Sequence, residues 1–173
     1  TNKTTNSIFV AVSVTEAREK ILQHVAPGAV QVLPLSSVLG MVLAAPVRAQ
    51  VDVPAFDNSA MDGFALDHRV TALATPATPV RLPIAGFQAA GKIDFGSLKP
   101  GRALRIGTGA YIPLDVTAVV PLEEVREDNG EIIISAAVQG GAHIRRRAEE
   151  TRFGDAVLDA GVLLHASVLG YLT

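Results

Sequence analysis

One stretch holds the densest set of groups able to do chemistry: Pro54-Ala55-Phe56-Asp57-Asn58-Ser59-Ala60-Met61-Asp62-Gly63-Phe64-Ala65. Asp57, Asn58, Ser59 and Asp62 place four polar side chains within six positions. Asx and Ser side chains bond to nearby backbone and can hold a tight, non-repetitive loop. Gly63 admits backbone conformations closed to other residues. Two readings follow. Carboxylates this close suit Mg²⁺, which takes oxygen ligands and often uses one or two carboxylates plus a substrate phosphate. The same composition also describes an Asx-rich turn that binds nothing.

Two further segments carry polar chemistry. Thr108 lies between Gly107 and Gly109, where a hydroxyl and exposed backbone N–H groups could be offered to an oxyanion. Arg145-Arg146-Arg147 precedes Glu149 and Glu150. On a strand, Arg145 and Arg147 face one side and Arg146 the other. The triplet reads as a solvated face, as ion-pair partners of Glu149 and Glu150, or as an anion site. The histidines at 24, 68, 143 and 165 have no metal-ligand spacing. Phe56, Met61 and Phe64 are expected to anchor the polar loop by packing.

The elements that must position these groups follow from local pattern. Ser13 and Glu16 have capping-box spacing, and Val14, Ala17, Ile21, Leu22 and Val25 share one face of the helix that follows. Pro27-Gly28 stops it. A second short helix is expected over Ser37–Ala44. From Pro46 onward the chain reads as short strands: Val47–Val51, Val80–Phe87 with Pro83 marking an edge or a bulge, Arg102–Ile106, Ala118–Arg126 and Glu131–Val138. Asp128-Asn129-Gly130 is the strongest hairpin signal. His143–Arg147 reads as another strand. Asp155–Leu164 reads as two extended pieces turning at Ala160-Gly161, and Ser167–Thr173 as the opening of a helix. No Gly, Pro or polar tail terminates that last helix, so the chain reads as cut short there. Thr71–Pro79 is a surface loop, and Thr1–Ser7 a loose tail.

Composition narrows the class. The chain has 173 residues, 49% apolar and 18% charged, as expected of a folded soluble protein. A net charge of −2 gives no electrostatic footprint for nucleic acid. With no Cys, disulfides and thiolate metal sites are excluded, and a cytoplasmic location is expected. No apolar run approaches the ~20 residues needed to span a bilayer. The expected fold class is α+β, with two modules. A mixed α/β module combines residues 8–46 with 144–173, and a β-rich, barrel-like module over 47–143 is inserted into it.

The block PAFDNSAMDGFA closely resembles the hallmark P-x-F-D-N-S-A-M-D-G-Y/F-A of the MoeA/gephyrin E-domain family, the molybdopterin molybdotransferases. Gly101-x-x-x-Arg105-Ile106-x-Thr108-Gly109-Ala110 resembles the family's second block. Val119, Val120 and Glu123 or Glu124 fall at its A-V-V-x-x-E stretch, and Ile144-Arg145-Arg146-Arg147-x-Glu149 at its I-R-x-x-G-E-D block. Gly154, Leu158 and Gly161 match the spacing that follows. The resemblance runs from about Ser13 to Thr173. It departs at Asp115-Val116-Thr117, at Ala148 where the family has Gly, and at Glu150 where it has Asp. An Ala in place of that Gly matters if the backbone there needs φ > 0.

The resemblance implies an enzyme that takes adenylylated molybdopterin and molybdate, releases AMP and leaves molybdenum on the pterin dithiolene, assisted by Mg²⁺. It implies an elongated homodimer whose cleft lies between the large α/β domain of one subunit and the first two domains of the other. This chain would supply that second wall, would lack the catalytic α/β domain, and would be inactive alone. The implied catalytic residues are Asp62 and Thr108. Asn58, Ser59 and Arg145 are the implied substrate-binding residues, and Asp57, Asp62 and Glu150 the implied metal ligands. Because phosphate and molybdate are anions, these carboxylates make sense only with a cation between, or with Arg nearby. Two rival readings are a non-catalytic dimerisation or scaffold module of a divergent paralogue and a generic carboxylate–Mg²⁺ hydrolase.

Overall fold

A computed structural model describes residues 11–173. The expected N-terminal tail lies outside those residues. The described residues divide into two compact units, one of residues 11–44 and 161–173, the other of residues 45–160. The return from the inserted unit therefore falls at 160/161 rather than 143/144. The segments between those points are tied by strand pairing to residues 47–59, as described below.

In the first unit, helix α1 (Val14–Leu22) carries the full capping box, with Ser13 Oγ accepting from Glu16 N–H and the Glu16 carboxylate accepting from Ser13 N–H. Its apolar stripe is not buried: Val14 is 88% and Ile21 64% exposed. The expected second helix is absent. A short 3-10 turn covers Leu35–Ser37, and Gly40 then adopts φ +80°, a conformation that ends a helix. Val42 instead forms an antiparallel bridge to Leu163, and Leu43 exchanges backbone hydrogen bonds with Gly161 and Val162. Helix α2 spans Ala166–Tyr171. Helix is a small share of the whole, and the fold is mostly β. No described helix is long and apolar enough to cross a membrane.

The second unit contains ten strands: β1 (Val47–Arg48), β2 (Asn58–Ser59), β3 (Gly63–Leu66), β4 (Val80–Gln88), β5 (Ala103–Ile106), β6 (Ala118–Pro121), β7 (Arg126–Asp128), β8 (Glu131–Ile134), β9 (Ile144–Arg145) and β10 (Ala156–Leu158). Six of them form one sheet in the order β6-β3-β5-β4-β8-β7, antiparallel except for β4 with β5. β1 pairs with β10, and β2 with β9.

The central strands read as continuous apolar runs because both of their faces are covered. Phe64, Leu66, Val120, Ile132 and Ile134 pack on one side; Ala65, Leu104, Ile106, Val119 and Ile112 pack on the other. The Asp128–Gly130 hairpin forms as expected, with Asn129 at φ 50° and Gly130 at φ 80°. Ala118–Arg126 is not one strand. A 3-10 turn over Leu122–Glu124 separates β6, which pairs with β3, from β7, which pairs with β8. Pro83 is paired with β8 alone, because β4 meets β8 over Val80–Pro83 and β5 only from Ile84, so at Pro83 the strand has one unpaired side, as at an edge. The irregularity expected there appears as a register shift against β5 between Ile84 and Phe87.

Gly63 sets how closely β3 and β6 approach. A Cβ built there would lie 2.1 Å from the Val120 carbonyl oxygen, a backbone atom that cannot rotate away. Gly63→Ala is expected to destabilise the protein by about 3 kcal/mol or more through overpacking, read as a lower urea midpoint.

Asp67 follows β3 and caps the next turn. Its carboxyl is drawn from the usual 3.8 to about 2 by the Arg69 side chain, against burial, with help from Arg69 N–H and Thr117 Oγ1. Its folded pKa is depressed, so its contribution is present above the unfolded pKa and is lost as pH falls towards 2. Asp67→Asn should therefore lower the melting temperature at pH 7, and the gap to wild type should close between about pH 4 and pH 2.

Candidate functional site

The short strand β2 brings three distant segments together. Asn58 and Ser59 pair with Arg145 and Ile144 on one edge. On the other, Ser59 N–H donates to Ala110 O (3.0 Å), Gly109 N–H to Ser59 O (2.8 Å) and Ile112 N–H to Asp57 O (3.0 Å). Ser59 is fully buried, and its hydroxyl donates to Met61 O at 2.6 Å. It builds the turn that carries Met61 and Asp62. Asn58 is also buried; its amide reaches Phe56 O at 3.5 Å, and its Oδ1 is a buried acceptor with no partner.

Asp62 and Thr108, the two expected catalytic residues, lie in direct contact. Thr108 N–H donates to Asp62 Oδ1 at 2.7 Å and Thr108 Oγ1 at 2.9 Å. Both donors are spent on Asp62 rather than held open for an oxyanion. Thr108 N–H, then its hydroxyl, holds the Asp62 carboxyl below its ordinary range, against slight desolvation. Asp62 is thus a carboxylate at neutral pH. Both hydrogen bonds go to Oδ1, and among the described residues Oδ2 accepts none.

Asp57 has a different environment. Its Oδ2 accepts from the Arg146 guanidinium at 2.6 Å and its Oδ1 from Arg147 N–H at 2.8 Å. Burial pushes this carboxyl up, but the Arg147 N–H and the Arg146 side chain outweigh it and hold it below the usual value. The arginine triplet does form ion pairs, though not with Glu149 and Glu150. Arg146 pairs with Asp57, Arg147 with Asp52 at 2.6 Å, and Arg145 has no ion-pair partner among the described residues. Glu149 instead accepts from Arg146 N–H at 2.7 Å and closes the turn.

The expected metal set of Asp57, Asp62 and Glu150 does not gather. Among the described residues no three His, Cys, Asp or Glu side chains lie together as a metal site. Both Asp57 oxygens are already engaged by arginine, so a three-carboxylate site does not fit. Of the three, Asp62 keeps Oδ2 without a hydrogen-bond partner among the described residues.

The packing anchors also divide. Phe64 is in the core, whereas Phe56 and Met61 are substantially exposed; Phe56 meets Tyr111 at a ring separation of 5.8 Å, tilted 58°. Two further polar residues have partners that the sequence did not reveal. Asp52 accepts from Arg147 and from Phe153 N–H, and Thr117 accepts from His68 N–H and bonds its ring Nδ1. Thr117 belongs to the departing run Asp115-Val116-Thr117, so its departure was visible but its partner was not.

Ala148 adopts φ 60°, in the left-handed region, while its N–H donates to Pro54 O at 3.0 Å. A side chain there costs about 1–2 kcal/mol, and glycine's greater freedom when unfolded offsets part of that. Ala148→Gly should stabilise the protein by about 0.5–1 kcal/mol. A lower denaturation midpoint would show that the turn tolerates alanine without strain.

A family model described as the MoeA N-terminal region (domain I and II) matches residues 12–173. The chain is 41% identical over 138 residues to the molybdopterin molybdenumtransferase 2 of Mycobacterium tuberculosis, covering 80% of this chain and 34% of that protein. It is 38% identical over 152 residues to the molybdopterin molybdenumtransferase of Synechococcus elongatus, covering 86% of this chain and 38% of that protein. The crystal structure of the molybdopterin biosynthesis MoeA protein from Pyrococcus horikoshii OT3 superposes with a TM-score of 0.77 at 29% identity, covering 81% of this chain and 37% of that one. The chain thus spans little more than a third of the length of these relatives. By motif order, by fold and by this match along nearly its whole length, the chain belongs to the MoeA family, as its N-terminal region.

Proposed function

We propose that this chain forms one wall of the catalytic cleft of a molybdopterin molybdotransferase, which transfers molybdate to adenylylated molybdopterin and releases AMP. In this reading the whole protein is a homodimer, and the cleft is completed by the large α/β domain of the second copy. The single observation that carries it is Asp62, fixed by two Thr108 donors with its Oδ2 left free.

The chemistry constrains what Asp62 does. A carboxyl held below its ordinary range is a poor general base at neutral pH, where a useful base has a pKa near 7. It is well suited to hold a fixed negative charge. Phosphate and molybdate would be repelled by that charge alone, so a divalent cation, Mg²⁺, is the natural intermediary. Bound there, it would neutralise charge and polarise the phosphoanhydride, with the remaining ligands supplied by phosphate and water. Thr108 orients Asp62 and fixes which of its oxygens faces the reaction. Arg145, the unpaired member of the triplet, is free to meet an anionic group of the substrate.

The scaffold-module reading drew on the departures at Asp115–Thr117 and Ala148. The turn at Ala148 keeps the left-handed conformation that Gly would adopt, which supports the enzymatic reading. The decisive substitution is Asp62→Asn in the full-length protein. It preserves shape and the acceptor for Thr108 while removing the charge. Molybdate-dependent AMP release should fall by about two orders of magnitude with the melting temperature unchanged. An undiminished rate removes Asp62 from the mechanism.

A further inference from the structure

Phe87 stands next to the Asp62–Thr108 pair and is 55% exposed. Single exposed apolar side chains are ordinary on protein surfaces, and Leu73 and Leu114 are more exposed still. Phe87 differs in its surroundings. Gly107 has no side chain, and a Cβ built on it would meet only two groups, Asp62 Oδ1 at 3.9 Å and Phe87 Cζ at 4.0 Å. The Asp62 carboxylate and the Phe87 ring edge therefore both lie within contact distance of the space that a side chain on Gly107 would fill.

The backbone beneath Phe87 is fixed on both sides. Phe87 lies opposite Arg105 in the parallel β4–β5 pair, and Gly107 N–H donates to Gln88 O at 3.1 Å. The Gln88 side chain is fully buried. It donates to Lys92 O at 2.6 Å and accepts from Asp94 N–H (3.2 Å) and Phe95 N–H (3.1 Å). A flat apolar ring on a rigid strand end, beside a carboxylate able to take a cation, matches a ligand that joins a flat ring to a phosphate.

We propose that Phe87 is a stacking platform for the heteroaromatic ring of a phosphorylated substrate whose phosphate lies toward Asp62. The proposal rests on the reading of Asp62 given above and adds a residue that sets ring specificity. Adenylylated molybdopterin, the substrate in that reading, carries two such rings, adenine and pterin.

The test is isothermal titration of the full-length protein, with Mg²⁺, using AMP and 6-hydroxymethylpterin phosphate as separate probes. Phe87→Ala and Phe87→Leu, which keeps apolar bulk but loses the flat ring, should weaken binding of at least one probe by about tenfold or more. Phe87→Tyr should stay close to wild type. An effect on AMP alone assigns the platform to adenine, and an effect on the pterin alone assigns it to pterin. Equal affinities in wild type and Phe87→Ala, an equal loss in Phe87→Tyr, or no binding of either probe to wild type overturns the proposal. Phe87 is exposed, so an unchanged melting temperature is expected in all three variants. The two readings separate cleanly. Loss of AMP release in Asp62→Asn with probe binding indifferent to Phe87 keeps the function and removes the platform. Phe87-dependent binding with an undiminished rate in Asp62→Asn does the reverse.

Discussion

Backbone hydrogen bonds on both edges of the Asn58–Ser59 stretch determine where every polar group of the site stands. A buried N–H or C=O must find a partner, and here the partners come from residues 109–112 on one side and 143–145 on the other. That requirement draws Thr108 within reach of Asp62 and carries the arginine turn to Asp57. The Ser59 hydroxyl then completes the turn by binding Met61 O, so that even the side chain inside the motif serves the backbone. The tight approach at Gly63 follows directly, because the chain must re-enter the sheet against β6 immediately after Asp62.

The two aspartates of the motif are chemically alike and electrostatically opposite. Asp57 faces a guanidinium and a backbone N–H, so its charge is cancelled and both of its oxygens are engaged. Asp62 is held by an N–H and a hydroxyl, both neutral, so it keeps its full charge while being fixed in place. Neutral donors orient a carboxylate without using up its field. One aspartate thus ties the turn down, and the other keeps an oxygen without a hydrogen-bond partner among the described residues. The spacing of the two along the chain gives no hint of this difference, since it depends on partners that arrive from residues 108 and 146.

What was legible in the sequence was mostly what is decided locally. The Ser13–Glu16 box and the Asn129-Gly130 turn involve neighbours along the chain, and both formed as expected. Ala118–Arg126 read as one strand because Val119, Val120 and Val125 favour extended backbone at both ends; the break at Leu122–Glu124 comes from two halves pairing with different strands. Pro83 suggested an edge or a bulge, and it falls where β4 passes from pairing with β8 to pairing with β5, just before a shift in register. The arginine triplet read as an ion-pairing cluster, but its partners Asp57 and Asp52 lie far back in the chain. The stripe on α1 was legible as a pattern, but a pattern does not say what covers it.

The pairing of β2 with β9, and of β1 with β10, joins residues near 58 and 47 to residues near 145 and 158. Such contacts close long loops, and closure must come before the contacts can stabilise anything. During synthesis the FDNSAMDGF segment leaves the ribosome long before the residues that hold it. Until the arginine turn emerges, Asp57 has no counter-charge and β2 has one bare edge. The six-stranded sheet can form earlier, because its last strand ends at Ile134. The nascent protein thus acquires its sheet, and with it the Thr108 contacts of Asp62, before the arginine turn that neutralises Asp57.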